Sequence, residues 1–93
     1  MAYPDPASKS AALAARARRV LPDGGSRSSI RMKPYTLYVD EARGAEVVDV
    51  DGNRYVDFVN NYTSLIHGHA YGPVVEAVAR QAARGSAYSF ANE

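Results

Sequence analysis

The chain has 93 residues, 46% of them apolar and 10% aromatic, which suits one small domain at most. Eleven basic residues stand against ten acidic ones, and the net charge of +1 singles out no charged partner. There is no cysteine, which excludes a disulfide framework and a thiolate metal site and points to the cytoplasm. No apolar run is long enough for the core of a signal peptide or for a membrane span, so no membrane partner is expected. Basic charge gathers early, at Arg16, Arg18, Arg19, Arg27, Arg31 and Lys33, but no nucleic-acid reading motif accompanies it.

In chain order, the first element is a helix over about residues 6–21. Asp5 can cap it with Pro6 in the first turn, and Leu13, Ala17, Val20 and Leu21 share one face. Arg18 and Arg19 complement the negative end of the helix, and Pro22 with Gly24-Gly25 stops it. A bend, "DGGSRSSIRMKP", follows. Its Gly-Gly-Ser amides offer an anion cradle or simply a turn, and Arg27 and Arg31 are set among small polar residues. A guanidinium fork receives a carboxylate in two parallel hydrogen bonds, so this bend is a candidate carboxylate site.

Three strands are expected over about 35–40, 45–50 and 54–58. The "DGN" turn at 51–53 joins the last two, since Gly takes positive φ readily. Asp51 is explained by that turn. A second helix is expected over about 72–84, with Pro73 in its first turn and Val74, Val75, Val78 and Ala82 as its buried stripe. Gly85 is placed to close it. The result is an α+β segment: helix, three-stranded antiparallel meander, helix. Its core is thin and its sheet edges open, so the unit is expected to lean on further protein.

No complete catalytic motif is present, and no metal site is expected. His67 and His69 have the spacing of two ligands on an extended segment but lack a third, so packed or hydrogen-bonded histidines are the simpler reading. Lys9 and Lys33 are the only lysines, and neither lies in an apolar run that would depress its pKa for Schiff-base chemistry.

The stretch "GAEVVDVDGNRYVDFVNNYTSLIHGHAYGPVVEAVARQAARGS" resembles the N-terminal part of class-III, fold-type-I aminotransferases dependent on pyridoxal phosphate. The likeness rests on Asp51-Gly52-Asn53-Arg54-Tyr55, Asp57-Phe58, the polar and aromatic run Asn60 to Ser64, Gly68-His69, and Pro73 to Val78. It implies the small N-terminal domain of an α/β transferase, a small amino- or keto-acid substrate and a homodimeric parent enzyme. "LPDGGSRSSIR" resembles the segment carrying the substrate-carboxylate arginine in glutamate-1-semialdehyde aminomutases and β-amino-acid aminotransferases. Ser26-Arg27-Ser28 matches one register and Ser28-Ser29-Ile30-Arg31 the other, with Arg27 favoured. Tyr62 falls where many members carry a pocket aromatic. The tail "GSAYSFANE" resembles a segment that nears the active site at the dimer interface, with Asn92 in place of a proline.

The family's Ser-Gly-Thr phosphate turn, its pyridine-pairing aspartate and its Schiff-base lysine are not among these residues. The resemblance therefore implies no catalytic and no cofactor-binding residue here, and no specific binding of pyridoxal phosphate by this chain alone. A stand-alone, non-catalytic interaction module and an inactive product of a truncated gene are the alternatives.

Overall fold

A computed structural model describes residues 3–92. Helix α1 (Lys9–Val20) begins later than the sequence predicts, because Ser8 and not Asp5 is its cap. Ser8 is extended (φ −70°, ψ 157°), and its Oγ accepts a 3.1 Å hydrogen bond from the Ala11 amide. The Lys9 and Ser10 amides are taken by the Asp51 carboxylate, at 2.8 and 3.1 Å. Three of the four amides left unpaired at a helix start are thereby satisfied, one locally and two by a residue far along the chain. Asp5 instead closes a turn of its own, accepting from the Ala7 amide through its side chain and from the Ser8 amide through its carbonyl.

The buried face of α1 also differs from the predicted one. Ser10, Ala14 and Ala17 are buried, whereas Val20 and Leu21 are exposed. Small side chains allow close approach to residues 33–38. There the Ser10 hydroxyl accepts from the Tyr38 amide at 3.1 Å, and Tyr35 is buried among its hydrogen bonds to Asp5. Tyr3 packs edge-on against the Tyr35 ring and donates to the Tyr35 carbonyl.

The sheet is a meander of order β1-β2-β3, antiparallel throughout: β1 (Val39–Arg43), β2 (Glu46–Asp49) and β3 (Arg54–Val56). The first strand starts at Val39, not at 35, because residues 33–38 give backbone groups to α1 and the N-terminal segment. The register pairs Glu41 with Val48 and Val47 with Tyr55, and slips once between Val39 and Glu41. The second and third strands fall inside the expected 45–50 and 54–58.

Between β2 and β3 the Gly52 amide donates to the Asp49 carbonyl (2.9 Å) and the Asp49 amide to the Asn53 carbonyl (3.0 Å). Gly52 at φ 86° supplies the left-handed residue that this three-residue hairpin loop demands. Beneath the loop lies Asp49, 2% exposed. Its carboxylate accepts from the Asp51 and Asn53 amides, the Asn53 side chain and the Tyr55 hydroxyl.

After β3 the chain makes a single helical turn, α2 (Asn60–Thr63), which the sequence did not predict, and then helix α3 (Gly72–Ala82). Helix α3 stops short of 84, and Gly85 (φ 100°) follows with its amide on the Ala82 carbonyl. Its apolar stripe is not buried. Val74, Val75 and Val78 are half exposed or more, because nothing in the described chain packs on them.

Phe58, Ile66 and Phe90 are also open to solvent. The chain presents 7545 Å² of accessible surface. A folded monomer of this mass presents about 5,200 Å². Its extents are 47 × 29 × 21 Å and its radius of gyration is 16.3 Å. A self-contained domain of this length measures about 12 Å. These are the dimensions of a segment that offers apolar faces without covering them.

Candidate functional site

The bend after α1 and the α2 turn, more than thirty residues apart in sequence, meet at one hydrogen bond. The Tyr62 hydroxyl donates to the Ser29 carbonyl at 2.7 Å. Ser29 lies in a single 3-10 turn, Ser28–Ile30, closed by the Arg31 amide on the Ser28 carbonyl. Arg27 is the extended residue that opens this turn (φ −160°, ψ 151°) and Arg31 the one that ends it. All three residues singled out from sequence therefore lie in, or directly against, one small structure.

The two arginines differ in how they are engaged. Arg31 donates from Nη2 to Asp23 Oδ2 at 2.9 Å, a pair in which both side chains are at least half exposed. Such surface pairs contribute at most about 1 kcal/mol, but this one holds the Arg31 guanidinium back towards the end of α1. Among the described residues Arg27 has no ion-pair partner, and it is exposed. The Gly-Gly-Ser stretch is not a free anion cradle, since the Gly24 and Gly25 amides donate to the Leu21 and Pro22 carbonyls.

The α2 turn is left-handed. Asn60, Asn61, Tyr62 and Thr63 have φ of 52°, 48°, 57° and 66°. For residues with a Cβ this conformation costs about 1–2 kcal/mol each, so a run of four needs outside support. Asp57 supplies much of it. Its Oδ1 accepts from the Val59 and Asn60 amides, both at 2.9 Å, and its Oδ2 meets His69 Nε2 at 2.6 Å. Asn60 reaches across the turn to the Leu65 carbonyl (2.8 Å), and Asn61 to the Ser64 hydroxyl (2.9 Å).

The Asn60 amide, then the His69 side chain and the Val59 amide, hold the Asp57 carboxyl below its usual range, against the opposing effect of burial. His69 is itself locked to the sheet. It exchanges two 2.9 Å backbone hydrogen bonds with Gly44, in the turn between β1 and β2. Gly68 (φ 78°) permits this approach, because a Cβ there would stand 2.8 Å from the Gly44 carbonyl oxygen.

Sequence reasoning missed Asp57 and His69 as a pair. The two are twelve positions apart, and no short motif joins them. The available signal was a carboxylate three positions before an Asn-Asn pair, Asn being among the side-chain-bearing residues most tolerant of positive φ. The other histidine, His67, stacks on Tyr71 with ring centroids 4.4 Å apart.

A helix leading through an arginine-bearing bend to a three-stranded meander, then a strained aromatic turn and a second helix, is the opening segment of a fold-type-I pyridoxal-phosphate-dependent transferase. The sequence profile of the family "Aminotransferase class-III" matches residues 28–92, and the chain belongs to that family.

Among its relatives is the glutamate-1-semialdehyde 2,1-aminomutase of Myxococcus xanthus, 45% identical over 83 residues that span 85% of this chain and 19% of the relative. Among solved structures, an omega-transaminase from Sphaerobacter thermophilus superposes with a TM-score of 0.89 at 50% identity, over 98% of this chain and 21% of that one. A glutamate-1-semialdehyde-aminomutase variant from Pseudomonas aeruginosa, solved with PMP, superposes at 0.79 with 36% identity, over 89% and 19%. The chain thus spans about a fifth of the length of the relatives it matches.

Pyridoxal phosphate is the cofactor of the full-length family. The residues described here do not fit it by themselves. Lys9 and Lys33 are both exposed, and the glycine amides that would face a phosphate are spent on turns. No helix of the described residues is long and apolar enough to cross a membrane.

Proposed function

We propose that this segment supplies substrate-carboxylate recognition and one wall of the substrate pocket to a cytoplasmic, homodimeric aminotransferase or aminomutase acting on amino-acid-type substrates. Arg27 receives the carboxylate and Tyr62 lines the pocket beside it. The observation that carries this reading is the Tyr62–Ser29 hydrogen bond, which ties the aromatic turn to the turn that Arg27 opens. Arg31 is the weaker candidate because its guanidinium is already paired with Asp23. The uncovered valines of α3 and the exposed Phe90 support the remaining claim, that the segment packs against the rest of a longer polypeptide and contributes to dimer contacts.

The test is a chimera in which residues 3–92 replace the matching segment of the Sphaerobacter thermophilus transaminase. Arg27→Ala is expected to raise KM for an amino-acid donor roughly 10- to 100-fold, the value of a hydrogen bond to a charged group, and to leave an amine without a carboxylate unaffected. Arg31→Ala is expected to change neither. The opposite ranking of the two arginines moves the role to Arg31. A chimera that folds and dimerises but is inactive favours the interaction-module alternative.

A further inference from the structure

We propose that Asp57 and His69 are positioning residues that hold Tyr62 in place for substrate, a reading that rests on the substrate-binding role proposed above for Arg27 and Tyr62. The connection can be followed atom by atom. Gly44, in the β1–β2 turn, holds the His69 backbone through two hydrogen bonds. His69 Nε2 holds Asp57 Oδ2 at 2.6 Å, and both side chains are largely shielded from solvent, with 21% and 15% exposed. Asp57 Oδ1 then takes the Val59 and Asn60 amides, the entry to the left-handed turn. Tyr62 stands two residues into that turn, and its hydroxyl reaches the Ser29 carbonyl. The end of the sheet is thereby linked to the bend that carries Arg27.

A left-handed run of four residues that all carry side chains does not persist on local preference. Within the turn, the supports are the Asn60–Leu65 and Asn61–Ser64 contacts and the backbone bonds from Thr63 and Ser64. Among the described residues, Asp57 is the one side chain outside the turn that takes the amides at its entry, those of Val59 and Asn60, and His69 is the group that keeps the Asp57 carboxylate in register. The pair acts through where it puts Tyr62.

The experiment is a double-mutant cycle in the same chimera, with Asp57→Ala and Tyr62→Phe, read as kcat and KM separately on an amino-acid donor. Each single variant is expected to raise KM roughly tenfold while kcat changes little, since both misplace one wall of the site. The double variant is expected to be no worse than the worse single, because the two changes break one connection.

Multiplying effects, about a hundredfold together, overturn the proposal. A second arm covers loss of folding. His69→Gln retains a side-chain donor, so its KM is expected to stay within about threefold of the parent while His69→Ala falls with the Asp57 variant. Equal loss in the two His69 variants also overturns the proposal. Failure here with Arg27→Ala still raising KM removes the positioning claim alone. An Arg27→Ala variant without effect removes the parent reading.

Discussion

The Tyr55 hydroxyl donates to the Asp49 carboxylate at 2.8 Å, and the contact favours the charged acid and the neutral phenol together. Burial pushes Asp49 up, but hydrogen bonds from the Asn53 side chain and amide, from Tyr55 and from the Asp51 amide outweigh it and hold the carboxyl below its ordinary value. Burial, followed by the Asp49 hydrogen bond and charge, pushes the Tyr55 phenol up to about 12. Asp49 thus organises the hairpin loop from beneath, and the loop in turn presents Asp51 to the start of α1.

The pH limits of this contact follow from the two directions. The folded pKa of Tyr55 lies above its unfolded value of 10.0, so its contribution is complete below pH 10 and is lost as pH rises towards about 12. The folded pKa of Asp49 lies below 3.8, so its contribution is complete above that value and is lost as pH falls through the lower one. The chain has no tryptophan to obscure the phenolate band. Ultraviolet titration is expected to show one late tyrosine that Tyr55→Phe removes. Asp49→Asn moves that transition back towards 10, and an unchanged midpoint would contradict the assignment.

Asp51 joins the hairpin to α1 through the Lys9 and Ser10 amides. Removing a helix cap costs about 1–2 kcal/mol when an anionic oxygen is lost from the N-terminus. Asp51→Ala is therefore expected to speed amide hydrogen exchange at Lys9 and Ser10 by roughly 5- to 30-fold. Asp51→Asn, which keeps one acceptor, is expected to fall between the two.

Two glycines separate conformational strain from steric fit. Gly44 has φ 58° and nothing within 4 Å of an added Cβ, while Gly68 has φ 78° and a carbonyl oxygen at 2.8 Å. Gly44→Ala is expected to cost about 1–2 kcal/mol, the value of the left-handed conformation alone. Gly68→Ala adds a backbone clash and pushes His69 off Gly44, so it is expected to be the more damaging. Thermal midpoints of the two chimeric variants give the ranking, and equal midpoints would contradict it.

The α3 face makes a prediction about the chain by itself. With Val74, Val75 and Val78 half exposed, the isolated 93-residue polypeptide is expected to bind an apolar dye, to self-associate and to unfold without a sharp transition. Val75→Lys with Val78→Lys is expected to raise its solubility. A monodisperse monomer with a steep, cooperative melt would refute the view that these faces need a partner.

Much of the local structure was legible in the residues. Gly52 at the hairpin, Pro73 at the start of α3 and the arginines at the end of α1 act through backbone geometry and the helix dipole, which depend on neighbours only a few positions away. The order of α1, the three strands and α3 followed for the same reason. The predicted cap at Asp5 failed because Asp51, forty-odd residues on, reaches the α1 amides and places the first turn at Ser8. The predicted start of the first strand failed because Ser10 and Tyr3 hold residues 33–38.

The same division runs through the candidate site. Arg27, Arg31 and Tyr62 were singled out from sequence, each for its place in a local pattern. Which arginine is paired, that Tyr62 rides on a left-handed turn, and that Asp57 and His69 brace it were decided by the tertiary structure alone. Side-chain pattern selects helix, strand and turn over a few residues. Hydrogen bonds between groups twelve to forty residues apart depend on how those elements are brought together, and no local period records them.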